Sequence, residues 1–266
     1  MNILITNDDG ISAVGIRALA AFLRKEHKIF IVAPDNERSG VSQSITYRRP
    51  IFVKQFDVDE EQTGFGVNGF PADCVKLALA ELCPFKPDLV FSGINNGLNV
   101  GLNVGYSGTV AGALAGAAMG FRSVAISIES NDNPDNFSRA IELAWPICAK
   151  LIADGHAFGH VININVPLQA LTHPHEWLVV PMNPNPMGTR FMHGNDPNGR
   201  PFFWQTNDPA PVPLAHLTDT EVVAEGNISV TPLTHDLSLH TEIARFQQIL
   251  YRDNPLAPKP RQHNVR

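Results

Sequence analysis

Cysteine is scarce in this 266-residue chain, which holds only Cys74, Cys83 and Cys148. The number is odd and no pair has CxxC spacing. That excludes a disulfide framework or a thiolate zinc site and points to a reducing compartment. Long apolar runs are also missing. The longest apolar-looking stretch, Val110 to Phe121, is too short to span a bilayer and is full of Gly and Ala. The opening MNILITNDDG has no basic region, and Asp8 and Asp9 cut its apolar run short, so it does not read as a signal peptide. Positive charge is in short supply, with 20 Lys and Arg against 26 Asp and Glu and a formal net charge of −6. A general binder of nucleic-acid polymers needs a basic face and is excluded. A small phosphate substrate is not, because a local site can be positive in a negative protein. The expectation is a soluble, cytoplasmic protein with no membrane and no nucleic-acid polymer among its partners.

What is present is an α/β pattern. Asn2 to Thr6 is a short β-rich apolar run, and the turn Asn7-Asp8-Asp9-Gly10 follows it. Ile11 to His27 carries Ile16, Leu19, Ala20 and Leu23 at helical spacing, and Lys28 to Ala33 reads as a second strand. A β-loop-α-β opening of this kind implies parallel strands. Strand segments are expected at 48–58 and 64–67, then a helix over Pro71 to Leu82 and a buried strand over Asp88 to Ser92. A small-residue helix over Ser107 to Met119, with Ser107 as N-cap, is followed by a strand over 123–128, a helix over 134–153 and a strand over 161–166. Beyond Val166 the chain turns irregular and rich in Pro, Asn and Gly. Trp177 to Val180 is expected to pair with Phe202 to Gln205, with a late strand over 228–232 and a last helix over 239–251. The reading divides the chain into a core at 1–180, an arm at 181–253 and a Pro-rich, basic tail at 254–266 expected to be disordered. The only internal repetition is Leu-Asn-Val-Gly at 98–101 and 102–105, too local for a solenoid.

Ligands of open parallel sheets bind beyond the carboxyl ends of the strands. Four polar clusters fall there: Asp8-Asp9-Gly10, Asn36 to Ser44, Ser92 to Asn103, and the helix start at Ser107. Adjacent carboxylates repel unless a cation sits between them, and oxygen ligands from Asp, Ser and Asn suit Mg²⁺ or Mn²⁺. Taken alone, an acid pair more often favours the positive end of the next helix. An apolar strand before it and a Gly after it favour the metal. Ser92-Gly-Ile-Asn-Asn-Gly taken alone is a turn, and Ser107-Gly-Thr is either an ordinary cap or a phosphate cradle of free N–H groups and hydroxyls. Their shared place counts for more than any one of them. Other signals fall away. Gly64-Phe-Gly-Val-Asn-Gly69 matches GxGxxG but follows an acidic turn instead of opening a helix. There is no Walker A lysine motif and no GxSxG. The pairs His156 and His160, His173 and His175, and His235 and His240 read as surface or loop residues.

The ordered segments MNILITNDDG (1–10), APDNERSGVSQSIT (33–46), PADCVKLAL (71–79), SGINNGLNVG (92–101) and YSGTVAGAL (106–114) resemble the SurE family of 5′/3′-nucleotidases, as does the late ISVTPLTHDLS (228–238). The matches are dense over about the first 130 residues and weak over 167–225. The resemblance implies a Rossmann-like, three-layer, mainly parallel sheet with a C-terminal hairpin-and-helix arm that joins subunits into a homodimer or homotetramer. It implies hydrolysis of nucleoside 5′- and 3′-monophosphates, and of short polyphosphate in some members, with one divalent metal ion, Mg²⁺ or Mn²⁺, per subunit. Carried over by position, Asp8, Asp9, Ser39 and Asn95 are the metal ligands, and Asp8 and Asp9 the catalytic pair. Asn95, Asn96, Asn99, Ser107, Gly108 and Thr109 line the phosphate site. Asn103, where the family commonly has an acid, and Phe70, where it usually has Thr, depart from the pattern and bear on substrate preference. Two other classes stay open: a metal- or nucleotide-binding regulator without catalysis, and a nucleotide-cofactor oxidoreductase. Within the hydrolase reading, attack by Asp8 itself competes with attack by water. The known aspartyl-phosphate motif places its second acid two residues on, where this chain has Gly10.

Overall fold

The computed structural model describes residues 1–155, 159–186, 188, 190–206 and 214–252. Nine strands form one sheet. In chain order they are β1 (Asn2–Thr6), β2 (Lys28–Pro34), β3 (Val53–Asp59), β4 (Gln62–Val67), β5 (Leu89–Asn96), β6 (Ser123–Ile128), β7 (His160–Val166), β8 (Trp177–Val179) and β11 (Ile228–Thr234). The spatial order is β3-β4-β2-β1-β5-β6-β7-β11-β8. From β4 to β7 all neighbours are parallel, while β3 and β11 run antiparallel to β4 and β7. The chain moves outward from β1 in one direction, then returns to β5 on the other side of β1. That reversal opens a crevice between the carboxyl ends of β1 and β5.

Helices cover both faces, which explains why the central strands are apolar without alternation. α1 (Val14–Leu23) and α4 (Pro134–Ala153) pack together on one face, and α2 (Pro71–Leu77) and α3 (Gly108–Ala118) on the other. Successive β1 residues part accordingly. Ile3 and Ile5 join the cluster with Ile16, Leu19 and Ile141, while Leu4 joins Val32, Cys74 and Val75. The Gly and Ala content of α3 is a packing device. A Cβ on Gly112 would stand 2.9 Å from Ser92 Oγ, and one on Gly116 2.7 Å from Ser123 Oγ. No helix among the described residues is long and apolar enough to cross a membrane.

Three local expectations change. α1 starts at Val14, because Ile11 is drawn fully inside and donates its N–H to Pro34 O at 2.8 Å, which delays the helix. The helix expected over Pro71 to Leu82 is regular only to Leu77. It then widens to the Cys83 N–H to Ala78 O bond, ending before Pro84, which cannot donate. The pairing of Trp177 with Phe202 is wrong. β8 lies parallel to β11, and β9 (Arg190–Asn195) pairs with β10 (Pro201–Thr206) in a separate antiparallel hairpin. The turn at Asp196–Gly199 makes β9 the local partner of β10.

The arm expected over 181–253 contains β11, which sits inside the main sheet, and a short helix, α5 (Asp219–Ala224). Compactness divides the chain differently, into Met1–His235 and Asp236–Arg266. The second unit holds α6 (His240–Tyr251), with His240 Nε2 2.7 Å from Asp236 Oδ2. The tail expected at 254–266, and His156, lie outside the described residues.

Candidate active site

The turn after β1 delivers both acids to the crevice. Asn7 closes it by accepting from Gly10 N–H (3.2 Å) and donating to Gly10 O (2.9 Å). Gly10 has a φ of 101°, open to glycine at little cost. Asp8 is 3% exposed, and Asp9 is half-buried. Burial pushes the Asp8 carboxyl up to about 6 and the neighbouring Asp9 charge adds to this, against the hydroxyl of Thr109, which donates to Asp8 Oδ1. Burial also raises Asp9, with the Glu37 charge adding and the Asn96 N–H (3.1 Å to Asp9 Oδ2) opposing.

Helix α3 aims its N-terminus at Asp8. Ser107 caps the helix by accepting from Val110 N–H at 3.1 Å. A Cβ on Gly108 would come within 2.7 Å of Asp8 Cβ, so only glycine lets helix and carboxylate meet this closely. The loop after β2 arrives from the other side. Arg38 N–H donates to Asp8 O (2.7 Å), while its guanidinium turns away to Gly69 O (3.2 Å) and Asp35 (3.6 Å), 5.8 Å from the Phe70 ring centroid. Phe70, the departure noted above, therefore borders Arg38. Ser39 is exposed and donates to Glu37 Oε1 at 2.8 Å. Ser42 ties this loop to the one before α3 through Gly105 O (2.7 Å) and Tyr106 O (2.9 Å), and the buried Asp73 anchors its far end at Thr46 N–H (2.9 Å).

Asn95 donates its amide to Gly97 O at 2.6 Å, which leaves its Oδ1 for a ligand. Asn96 commits its side-chain oxygen to Asn131 N–H (2.9 Å) and its backbone N–H to Asp9. Asn99 is buried, its N–H on Asn165 Oδ1 (2.7 Å) and its Nδ2 on Ser127 Oγ (2.9 Å). Asn103, half-buried, accepts through its backbone from Tyr106 N–H at 2.9 Å.

A cavity of about 370 Å³ opens beside Asp9, Glu37, Ser39 and Asn96 and is closed by Asn131, Asp132 and Phe137 at the start of α4. This wall was missed in the sequence, although Asn131-Asp132-Asn133 follows β6 and so stands at a carboxyl strand end. A cavity of about 410 Å³ at the amino ends of β6 and β7 is mostly apolar, without a carboxylate, and lies away from this chemistry.

Among the described residues no Lys, Arg or His pairs with Asp8 or Asp9. Nor do they contain three or more His, Cys, Asp or Glu grouped to hold a metal. The candidate set is instead two carboxylates, a hydroxyl and a carboxamide. A buried acid beside a half-buried one, both with raised carboxyls and neither paired with a base among the described residues, fits a hard divalent cation with oxygen ligands.

A family model described as "Survival protein SurE" matches residues 3–187. The chain belongs to the SurE family. It is 44% identical over 239 residues to "5'-nucleotidase SurE" of Rhodopirellula baltica, covering 90% of this chain and 94% of the relative. It is 39% identical over 258 residues to the protein of that name from Pelotomaculum thermopropionicum, covering 94% and 95%. The crystal structure of the SurE protein from Aquifex aeolicus superposes with a TM-score of 0.79 at 32% identity, over 94% of this chain and 99% of that one. All six segments that suggested the SurE family lie in the described residues; four fall within the matched 3–187, and a fifth, 1–10, overlaps its start.

Proposed function

We propose that this chain is a divalent-metal-dependent phosphomonoesterase that releases phosphate from nucleoside monophosphates. Asp8, Asp9, Ser39 and Asn95 hold the ion. One observation carries the reading: two adjacent carboxylates, one buried and one half-buried, without a basic partner among the described residues, facing a helix N-terminus at the sheet's reversal point. The nucleotidase names of its relatives support it. Activity extends to 5′- and 3′-monophosphates and to short polyphosphate, with Mg²⁺ or Mn²⁺ as the ion. Three free cysteines agree with work in the cytoplasm.

When bound, the cation supplies Lewis-acid activation of the phosphoryl group and of water. The residues supply the rest. Asp9, beside the open cavity, takes the proton of the attacking water. The start of α3 at Ser107, Gly108 and Thr109, with Asn95, Asn96 and Asn99, stabilises the equatorial oxygens. Thr109 keeps Asp8 oriented.

Phosphate release from a panel of 5′- and 3′-nucleotides and short polyphosphate, in EDTA, Mg²⁺ or Mn²⁺, tests the reading. Turnover only with metal is expected. Turnover undiminished in EDTA would remove the metal from the proposal. Mn²⁺ binding with no turnover would make the chain a regulator.

The subunits assemble as a homodimer or homotetramer. Phe203 (71% exposed) and Trp204 (69% exposed) stand on opposite faces of the β9–β10 hairpin, with Phe191 and Met192 on its other strand. A two-stranded ribbon apolar on both sides cannot bury itself. Light scattering should find a dimer or tetramer for wild type and a monomer for Trp204→Glu; a monomeric wild type overturns the assembly.

A further inference from the structure

The phosphate loop spans Asn99 to Ser107; its second half winds into a short 3₁₀ turn over Gly101–Gly105, and its first half is held from outside. Asn99 is clasped by β7: its N–H donates to Asn165 Oδ1 at 2.7 Å, and its C=O accepts from Asn163 Nδ2 at 2.9 Å and Asn165 Nδ2 at 3.1 Å. Two residues on, Gly101 N–H donates to Asp219 Oδ2 at 2.8 Å across 118 positions of sequence. Asp219 is fully buried. Its other oxygen, Oδ1, accepts from Asn183 N–H at 2.9 Å and Thr220 N–H at 2.8 Å. Asn183 and Asp219 bracket the segment that contains the β9–β10 hairpin, so one carboxylate joins the roots of that segment to the loop.

A buried carboxylate is costly unless its lone pairs are filled, so its retention calls for a reason. Capping α5 accounts for only part of that: Oδ1 accepts from Thr220 N–H in the first turn, while Thr218 and Glu221 form the cap itself, with Thr218 N–H and Oγ1 each 2.8 Å from Glu221 Oε2. Oδ2, by contrast, accepts from Gly101 N–H, outside the helix. We propose that Asp219 is a positioning residue for the phosphate site: by fixing Gly101 it sets the span between Asn99 and Ser107 across which the substrate phosphate is held. This rests on the phosphate-site reading above.

Asp219→Asn is a selective variant. Its carboxamide oxygen keeps the two donors at Oδ1, and its NH₂ then faces the Gly101 N–H, donor against donor. The KM for a nucleoside monophosphate rises about tenfold with kcat within about threefold, and inorganic phosphate binds weaker by the same factor. Amide exchange at Gly101 quickens. Val222→Ala, at a fully buried position on α5, is the control for stability. It lowers Tm and leaves KM and phosphate binding unchanged. If Asp219→Asn lowers Tm but leaves KM and phosphate binding alone, or if Val222→Ala raises KM as much, the positioning role is wrong. Should the Asn variant not fold, Asp219→Ser releases Gly101 without the clash and is expected to give the same readings. If wild type hydrolyses no nucleotide, the function reading fails, and phosphate binding still decides. Binding that weakens in Asp219→Asn keeps the positioning role, whereas no binding by wild type, or equal binding by both, ends it.

Discussion

Asp9→Asn lowers kcat on the order of 10³-fold while leaving the fold intact, the effect expected when a general base is removed. Two features single out Asp9 over Asp8 for this task. Asp9 borders the cavity, whereas Asp8 lies beneath it, 3% exposed and occupied by Thr109. Among the described residues Asp9 accepts at Oδ2 from the Asn96 N–H, so Oδ1 can face a water. Burial raises the proton affinity of both acids, so basicity alone does not separate them. The substitution keeps size and an oxygen but removes both the base and a ligating charge. Activity measured against Mn²⁺ concentration separates the two losses. A lost ligand shifts the metal requirement upward, about 10–100-fold by analogy with disturbed metal shells, and saturating metal restores kcat. A lost base leaves kcat low at every metal concentration, which is the expected outcome. Full recovery at saturating Mn²⁺ would make Asp9 a ligand only and send the proton elsewhere.

How much of this could be read beforehand follows from the range of the interactions. Ile3–Ile5, Leu89–Phe91 and Val124–Ile126 are buried on both faces, so each forms a continuous apolar run, and the parallel sheet could be inferred from a few residues at a time. The polar clusters at Asp8, Ser39, Asn95 and Ser107 stood at strand ends for the same reason. Partners far apart in sequence left no local trace. Trp177 pairs with Ile228, and nothing in the pattern of either strand names the other. Asp219 and Gly101 meet across 118 positions. The signature Thr218-Asp-Thr-Glu221 does announce a helix start, and it went unread inside a Pro-rich stretch. Asn96 shows a third kind of limit. Its residue type suits a phosphate site, but only the folded loop reveals that its side-chain oxygen accepts from Asn131 N–H, which leaves the NH₂ as the group that can meet a phosphate.

In EDTA at pH 7.5, Asp8→Asn is expected to be more stable than wild type, although it disables the site. The folded protein holds the Asp8 proton up to about pH 6, while an unfolded carboxyl releases it near 3.8. Between those values the folded state binds more protons, so stability falls as pH rises through the window and the deficit is complete above it. Roughly two pKa units at 1.36 kcal/mol each make the deficit about 3 kcal/mol, the cost of burying a charge next to Asp9. Asn carries no charge, and its side-chain oxygen can still accept from Thr109. The variant should therefore melt about 6–10 °C higher at pH 7.5, with the advantage shrinking through pH 5 and gone near pH 4. Divalent metal narrows the gap from the other side. Ion at 100 times its Kd adds about 2.7 kcal/mol to wild type and much less to a variant missing a ligand. Thermal unfolding of both proteins at pH 4, 5.5 and 7.5, with EDTA or Mn²⁺, measures every term. Equal melting in EDTA at pH 7.5 would mean that Asp8 is already compensated in the folded chain, and the case for a cation between the two aspartates would lose its electrostatic basis. A gap that opens with rising pH and closes with Mn²⁺ would show that the fold stores this repulsion for an ion to relieve.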